Sequence, residues 1–208
     1  GRECRDVMIS TSCPLCNWVL SGGGARGFAH IGVLRKIEEL RIPIDVVVGT
    51  SMGSIVGGLY ATGLSPEEIE NGVQSIDWEL VFNDYARREF RSFRRKQDDY
   101  LFTSQNRVGV SSKGLNLPPG LIEGQQIELA LDRLAYPGFH ITDFDKLRIP
   151  FRAIATDIET GDAVILDAGN LAKAMRASMS IPAALPPVRH EGRLLVDGGI
   201  GNNIPIDV

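Results

Sequence analysis

The pentapeptide Gly49-Thr50-Ser51-Met52-Gly53 sets a hydroxyl between two glycines in Gly-x-Ser-x-Gly spacing. The β-branched run Val46-Val47-Val48 enters it, and a small-residue helical pattern from Ser54 to Leu59 leaves it. In that strand, turn, helix context the spacing describes a nucleophile elbow. The central residue of such a turn is strained, and the positions two away on each side must be free of side chains so that strand and helix can approach. Ser51 is therefore the candidate nucleophile, with Gly49 and Gly53 as the clearance residues of the elbow.

A serine that attacks a carbonyl needs donors for the oxyanion and a base for its proton. Gly22-Gly23-Gly24-Ala25-Arg26-Gly27 follows the apolar run Leu15 to Leu20 and precedes a helical pattern. Backbone N–H groups at Gly23 and Gly24, near a helix N-terminus, are suited to an oxyanion hole, with Gly22, Arg26 and Gly27 shaping the loop. The same glycines satisfy G-x-G-x-x-G, a dinucleotide fingerprint. That reading needs an acidic residue at the end of the second strand, whereas Asp45 stands at its beginning. A P-loop lacks its Gly-Lys-Ser/Thr.

Two kinds of base are compatible with the chain. Only three histidines exist, His30, His140 and His190, and the order Ser51, Asp157 or Asp162, His190 is that of an ordinary α/β-hydrolase triad. Asp197-Gly198-Gly199, at the end of the apolar run Arg193 to Val196, is the other. An Asp-Gly-Gly turn is common by itself, but here it accompanies a glycine loop and an elbow, each closing an apolar strand. If Asp197 marks the active edge, His190 stands several residues of about 3.3 Å away, near the opposite edge.

Further groups bear on partners. Arg87, Arg91 and Arg94 share a helical face with Phe90 and Phe93 offset from it, a pattern suited to anionic lipid headgroups, although charged faces are usually only solvated. Cys4, Cys13 and Cys16 crowd the first sixteen residues. Cys13-Pro14-Leu15-Cys16 lacks both the second ligand pair of a zinc site and the βαβ setting of a redox motif. No metal and no cofactor is expected. A net charge of −4 argues against a nucleic-acid partner. No apolar run reaches the roughly 20 residues of a membrane span, and no signal leader opens the chain.

The elements that must position these residues follow from periodicity. Residues 1–16 are expected to be a disordered leader or cloning remnant, and 17–208 one catalytic domain, truncated at its C-terminus. The 208 residues, 43% hydrophobic, suffice for a core without staples. Phe28, Ile31, Leu34, Ile37 and Leu40 give a helix; Asp45 to Val48 is the second strand. Ser65-Pro66-Glu67-Glu68 is a capping-box helix start. Gly109 to Gly120 reads as a Gly, Pro and Ser-rich loop, Gln125 to Leu134 as a helix, Phe151 to Thr156 with Ala163 to Leu166 as a hairpin, and Leu171 to Ser178 as a helix stopped by Pro182. Alternating strands and helices imply a parallel sheet with helices on both faces.

Taken together, Gly22 to Gly27, Gly49 to Gly53, Ala177-Ser178-Met179-Ser180-Ile181-Pro182 and Asp197 to Gly199 resemble the motifs of patatin-like phospholipase domains, over residues 17 to 208. The resemblance implies a three-layer α/β/α fold with a central mostly parallel sheet. It implies a lipid acyl hydrolase of phospholipase A or esterase type, in which Ser51 and Asp197 form a dyad without histidine and an acyl-enzyme is released by water. The alternatives are a non-catalytic lipid-binding module and a Ser-His-Asp esterase using His190. Phe93-Arg94-Arg95-Lys96-Gln97-Asp98-Asp99 and Asp143-Phe144-Asp145-Lys146-Leu147 look most like bacterial type V autotransporter passengers. That implies secretion, or the surface or outer membrane of a Gram-negative bacterium, with a cytoplasmic location as the alternative. The implied partners are a phospholipid or membrane-surface substrate, a homodimeric mate, and POTRA and barrel domains downstream.

Overall fold

The computed structural model describes residues 16–78, 81, 89, 92–94, 96–97, 109–111, 114–116 and 124–208. Three parallel strands carry the architecture. β1 (Asn17–Leu20) pairs with β2 (Val46–Thr50) so that Leu20 stands opposite Gly49, and β2 pairs with β5 (Phe151–Asp157) so that Thr50 stands opposite Ile154. The β-branched and apolar runs of β2 and β5 suit strands covered on both faces. Three antiparallel strands complete the sheet: β6 (Ala163–Leu166), β7 (Val188–His190) and β8 (Arg193–Asp197). β7 and β8 form a hairpin whose two turn residues, Glu191 and Gly192, have φ of 48° and 82°. Positive φ at both centres matches the right-handed strand twist.

β2 and β8 lie end to end along β5. Ala155 and Thr156 each pair with a residue of β6 and a residue of β8, so those strands lie on opposite edges of β5. Ala153 and Ile154 pair with both β6 and β2. Hence β2 and β8 share one edge of β5. β2 arrives parallel and stops at Thr50 opposite Ile154; β8 arrives antiparallel and stops at Asp197 opposite Ala155. Asp197 therefore reaches the elbow on a strand that runs against β2 and meets it end to end. The Glu191-Gly192 turn reverses the chain, and a five-residue apolar strand carries no mark of its direction.

Five described helices flank the sheet: α1 (Ala29–Glu39), α2 (Met52–Ala61), α3 (Pro66–Gln74), α4 (Gln125–Leu134) and α5 (Leu171–Ser178). Leu20, Val47, Phe151, Ile55, Leu59 and Met175 belong to one core between sheet and helices. α2 lies almost against the sheet backbone: a Cβ on Gly53 would come 2.5 Å from the Leu20 carbonyl oxygen, and one on Gly49 would come 2.5 Å from that of Gly53. On the other face Val48 and Ile154 are fully buried. There Thr50 and Thr156 meet the loop after β8, Thr50 Oγ1 donating to the Asn202 carbonyl and the Gly201 N–H donating to Thr156 Oγ1.

Local signals account for the helix starts. Ser65 Oγ accepts the Glu68 N–H at 3.2 Å, while Glu68 Oε2 accepts the Ser65 N–H at 2.8 Å and the Ser65 hydroxyl at 2.9 Å; the two bonds onto the carboxylate, the backbone one first, hold it below its usual range. Asn170 caps α5 through the Lys173 N–H. The Gly109 to Gly120 expectation is amended, because β3 (Gly109–Ser111) and β4 (Gly114–Asn116) form a separate antiparallel pair within it. Among the described residues no helix is long and apolar enough to cross a membrane.

Candidate active site

Ser51 occupies the junction of β2 and α2 with φ 52° and ψ −120°. A residue with a Cβ rarely adopts that conformation, and the surrounding bonds hold it there. The Ser51 carbonyl accepts the Ser54 N–H at 2.9 Å and Ser54 Oγ at 2.7 Å. Its N–H donates to Ser178 Oγ at 2.8 Å, and Ser178 Oγ in turn donates to the Ile154 carbonyl. The side chain is thus turned toward the gap where β2 and β8 meet.

Asp197 fills that gap. Ser51 Oγ donates to Asp197 Oδ2 at 2.8 Å, and the other carboxylate oxygen, Oδ1, accepts the Gly199 N–H at 2.7 Å. The backbone on either side is tied to the end of α5: the Asp197 N–H donates to the Ser180 carbonyl at 2.9 Å and the Gly198 N–H to that of Ser178 at 3.2 Å. Gly198 has no room for a side chain, since a Cβ would collide with the Ile154 carbonyl oxygen. Ser51 and Asp197 are 7% and 8% exposed. A nearly dry hydrogen bond to a carboxylate whose second oxygen is fixed is a geometry for proton transfer.

The glycine loop lies over this pair. A Cβ on Gly22 would come 2.9 Å from Ser51 Cβ, and Gly27 packs on Met52. Gly23, Gly24 and Arg26 are exposed, and among the described residues neither the Gly23 nor the Gly24 N–H has an acceptor in the protein. Two residues that sequence reasoning passed over complete the surroundings. Ser178, within the Ala177 to Pro182 stretch, anchors the elbow. Asn203 Oδ1 accepts the Gly22 N–H at 3.0 Å; its one signal is the Asn202-Asn203-Ile204-Pro205 run just beyond Asp197.

The histidines serve elsewhere. His30 Nε2 sits 3.0 Å from the Ser21 carbonyl and so binds α1 to the glycine loop. His140 stacks edge-on against Phe139. His190 pairs with Arg193, four residues or roughly 13 Å along β8 from Asp197. It therefore lies beyond the carboxyl end of β5, which corrects the expectation that it stands near the opposite edge. Asp157 Oδ1 accepts the Glu159 N–H, and Asp162 is exposed in the β5 to β6 turn. Asp45 ties the start of β2 to Cys16. Among the described residues no three His, Cys, Asp or Glu side chains gather as metal ligands. Of the proposed headgroup contacts, Arg94 is exposed, while Arg87 and Arg91 lie outside the described residues, as do Cys4 and Cys13.

The family model for patatin-like phospholipases matches residues 18–208. A patatin-like phospholipase domain-containing protein of Caenorhabditis elegans is 36% identical over 192 residues, covering 91% of this chain and 12% of the relative. An uncharacterized NTE family protein of Mycobacterium tuberculosis is 34% identical, covering 91% and 27%; lysophospholipase NTE1 of Mycosarcoma maydis is 33% identical, covering 91% and 9%. The chain thus spans about a quarter or less of the length of these relatives. Legionella pneumophila VipD shares the fold at a TM-score of 0.56 and 16% identity, covering 92% of this chain and 47% of that one. The sequence relatives include NTE-family and eukaryotic proteins, and the autotransporter resemblance gains nothing from them. With its elbow, glycine loop and Asp-Gly-Gly turn inside one matched span, the chain belongs to the patatin-like phospholipase family.

Proposed function

We propose that this chain is a lipid acyl hydrolase acting on phospholipid, lysophospholipid or other carboxylic esters through a Ser51–Asp197 dyad. The observation that carries the reading is the 2.8 Å hydrogen bond from Ser51 Oγ to Asp197 Oδ2 at a strained elbow. Asp197 takes the hydroxyl proton as Oγ attacks the ester carbonyl, forming a tetrahedral oxyanion. The open N–H groups of Gly23 and Gly24 receive that oxyanion, with Arg26 supplying positive charge at the loop. Collapse expels the alcohol, which takes the proton from Asp197; water, deprotonated by the same carboxylate, then attacks the acyl-enzyme, and the acid leaves as Ser51 Oγ takes the proton back from Asp197. The family membership and the lysophospholipase among the relatives support the substrate class.

Ser51→Ala is expected to abolish release of fatty acid from lysophospholipid micelles, leaving the fold intact by circular dichroism. Residual hydrolysis near the parent rate would refute the assignment. A non-catalytic lipid-binding module would instead bind vesicles and leave Ser51 unlabelled by a fluorophosphonate. Headgroup contact by Arg87, Arg91 and Arg94, a homodimer, and secretion or surface display ahead of POTRA and barrel domains are finer readings from the sequence. The last is decided by whether the reading frame beyond Val208 encodes a POTRA repeat.

A further inference from the structure

The loop after β8 is stitched to the ends of the strands that carry the site. Thr50, the residue before the nucleophile, donates through Oγ1 to the Asn202 carbonyl at 3.1 Å, Thr156 Oγ1 accepts the Gly201 N–H at 3.0 Å, and the Asn202 N–H donates to the Gly198 carbonyl at 2.9 Å. Asn203 follows directly, and buried Pro205 fixes the chain two residues on. Its exposed side chain crosses to the glycine loop, where Oδ1 accepts the Gly22 N–H at 3.0 Å. The same oxygen lies over both halves of the site: a Cβ on Gly22 would come 2.8 Å from it and one on Gly199 would come 3.2 Å from it. Among the described residues this is the one hydrogen bond between the segment after Asp197 and the loop over Ser51.

We infer that Asn203 is a positioning residue for the hydrolase: its carboxamide holds the glycine loop at the distance from Ser51 and Asp197 that aims the Gly23 and Gly24 N–H groups at the oxyanion. This rests on the acyl hydrolase reading. Gly23 and Gly24 are exposed glycines, Gly24 at φ 55°, so nothing in their own side chains restrains them. The 3-10 turn Gly24–Phe28, in which the Arg26 N–H donates to the Gly23 carbonyl at 3.2 Å, shapes the loop, and its flanks fix where it stands: His30 holds the Ser21 carbonyl on the helix side, and Asn203 holds the Gly22 N–H on the dyad side. The loop and Asp197 come from opposite ends of the sequence, and a fixed strut between them keeps donors and base in register through attack and collapse. A misplacement of about 1 Å in such a constellation costs about 10²-fold in rate.

The test compares the parent protein with Asn203→Ala, Asn203→Asp and Ser51→Ala on a short soluble p-nitrophenyl ester. Asn203→Ala is expected to lower kcat by about 10²-fold with KM changed less than about threefold, and to slow fluorophosphonate labelling of Ser51 in parallel, because that adduct also places an oxygen in the hole. Thermal midpoints should agree within a few degrees, the side chain being exposed. Asn203→Asp restores the acceptor for the Gly22 N–H and is expected to recover at least about tenfold of the loss. Parent-like kcat and labelling in Asn203→Ala, or an Asn203→Asp variant no better than Asn203→Ala, overturns the inference. If the parent and Ser51→Ala are equally active, the hydrolase reading itself fails, and the two failures are told apart.

Discussion

At the level of single residues, the site depends on a serine held in a backbone conformation it would not choose and a carboxylate held where a strand ends. Ser178 joins the two problems, because its hydroxyl accepts the Ser51 N–H and donates to the Ile154 carbonyl beside which β8 stops. Ser178→Ala leaves both backbone groups without that partner in a buried setting. It is expected to destabilise the fold by about 1–3 kcal/mol, measured by urea unfolding, and to lower kcat more than KM. Unchanged stability and activity would show that the elbow is held by α2 alone. Ser51 and the glycine loop were legible in the sequence because backbone chemistry forces their residue types. Ser178 and Asn203 were not, since a serine or asparagine earns its role only from the atoms that a distant segment brings to it.

At the level of elements, the close approach of α2 to β1 sets the height of the nucleophile. Gly53→Ala would press a methyl carbon against the backbone at Leu20 and Ser21, at 2.5 to 2.7 Å. Backbone cannot give way as a side chain can, so a loss of about 1–3 kcal/mol or more is expected, seen as a lowered urea midpoint. A variant as stable as the parent would mean the helix can slide outward. Helix positions followed from periodicity and caps: α4, α5 and the Ser65 capping box stand where the pattern puts them. The direction of β8 did not follow, and neither did the β7 strand. Both depend on a two-residue turn whose positive φ values are invisible in a Glu-Gly pair.

At the level of the whole molecule, the sheet is a parallel trio extended by antiparallel strands, and the candidate site sits where two chain directions collide along β5. The family was recognisable from motifs spread over nearly the entire chain, because the elbow and the Asp-Gly-Gly turn mark places, at Gly49, Gly53 and Gly198, where neighbouring backbone leaves no room for a side chain. Placement in a larger assembly was not, since surfaces beyond the site obey no such constraint. The basic and aromatic stretch is the molecular-scale element still to be tested. Reversing Arg87, Arg91 and Arg94 to Glu is expected to weaken binding to anionic vesicles at least tenfold in a sedimentation assay while leaving soluble-ester hydrolysis within about twofold. Equal losses in both would remove the headgroup role.

The central claim is that a carboxylate, and no imidazole, is the base for Ser51. It is tested most directly by the steady-state rate of p-nitrophenyl ester hydrolysis in two proteins, Asp197→Asn and a triple variant with His30, His140 and His190 all replaced by Gln. Asp197→Asn is expected to lose at least about 10³-fold in kcat/KM, as removal of a positioned general base does. The histidine-free protein is expected to stay within about tenfold of the parent, the loss coming from the His30 contact with the glycine loop. Full activity in Asp197→Asn, or loss of activity in the histidine-free protein beyond that of Asp197→Asn, would contradict it.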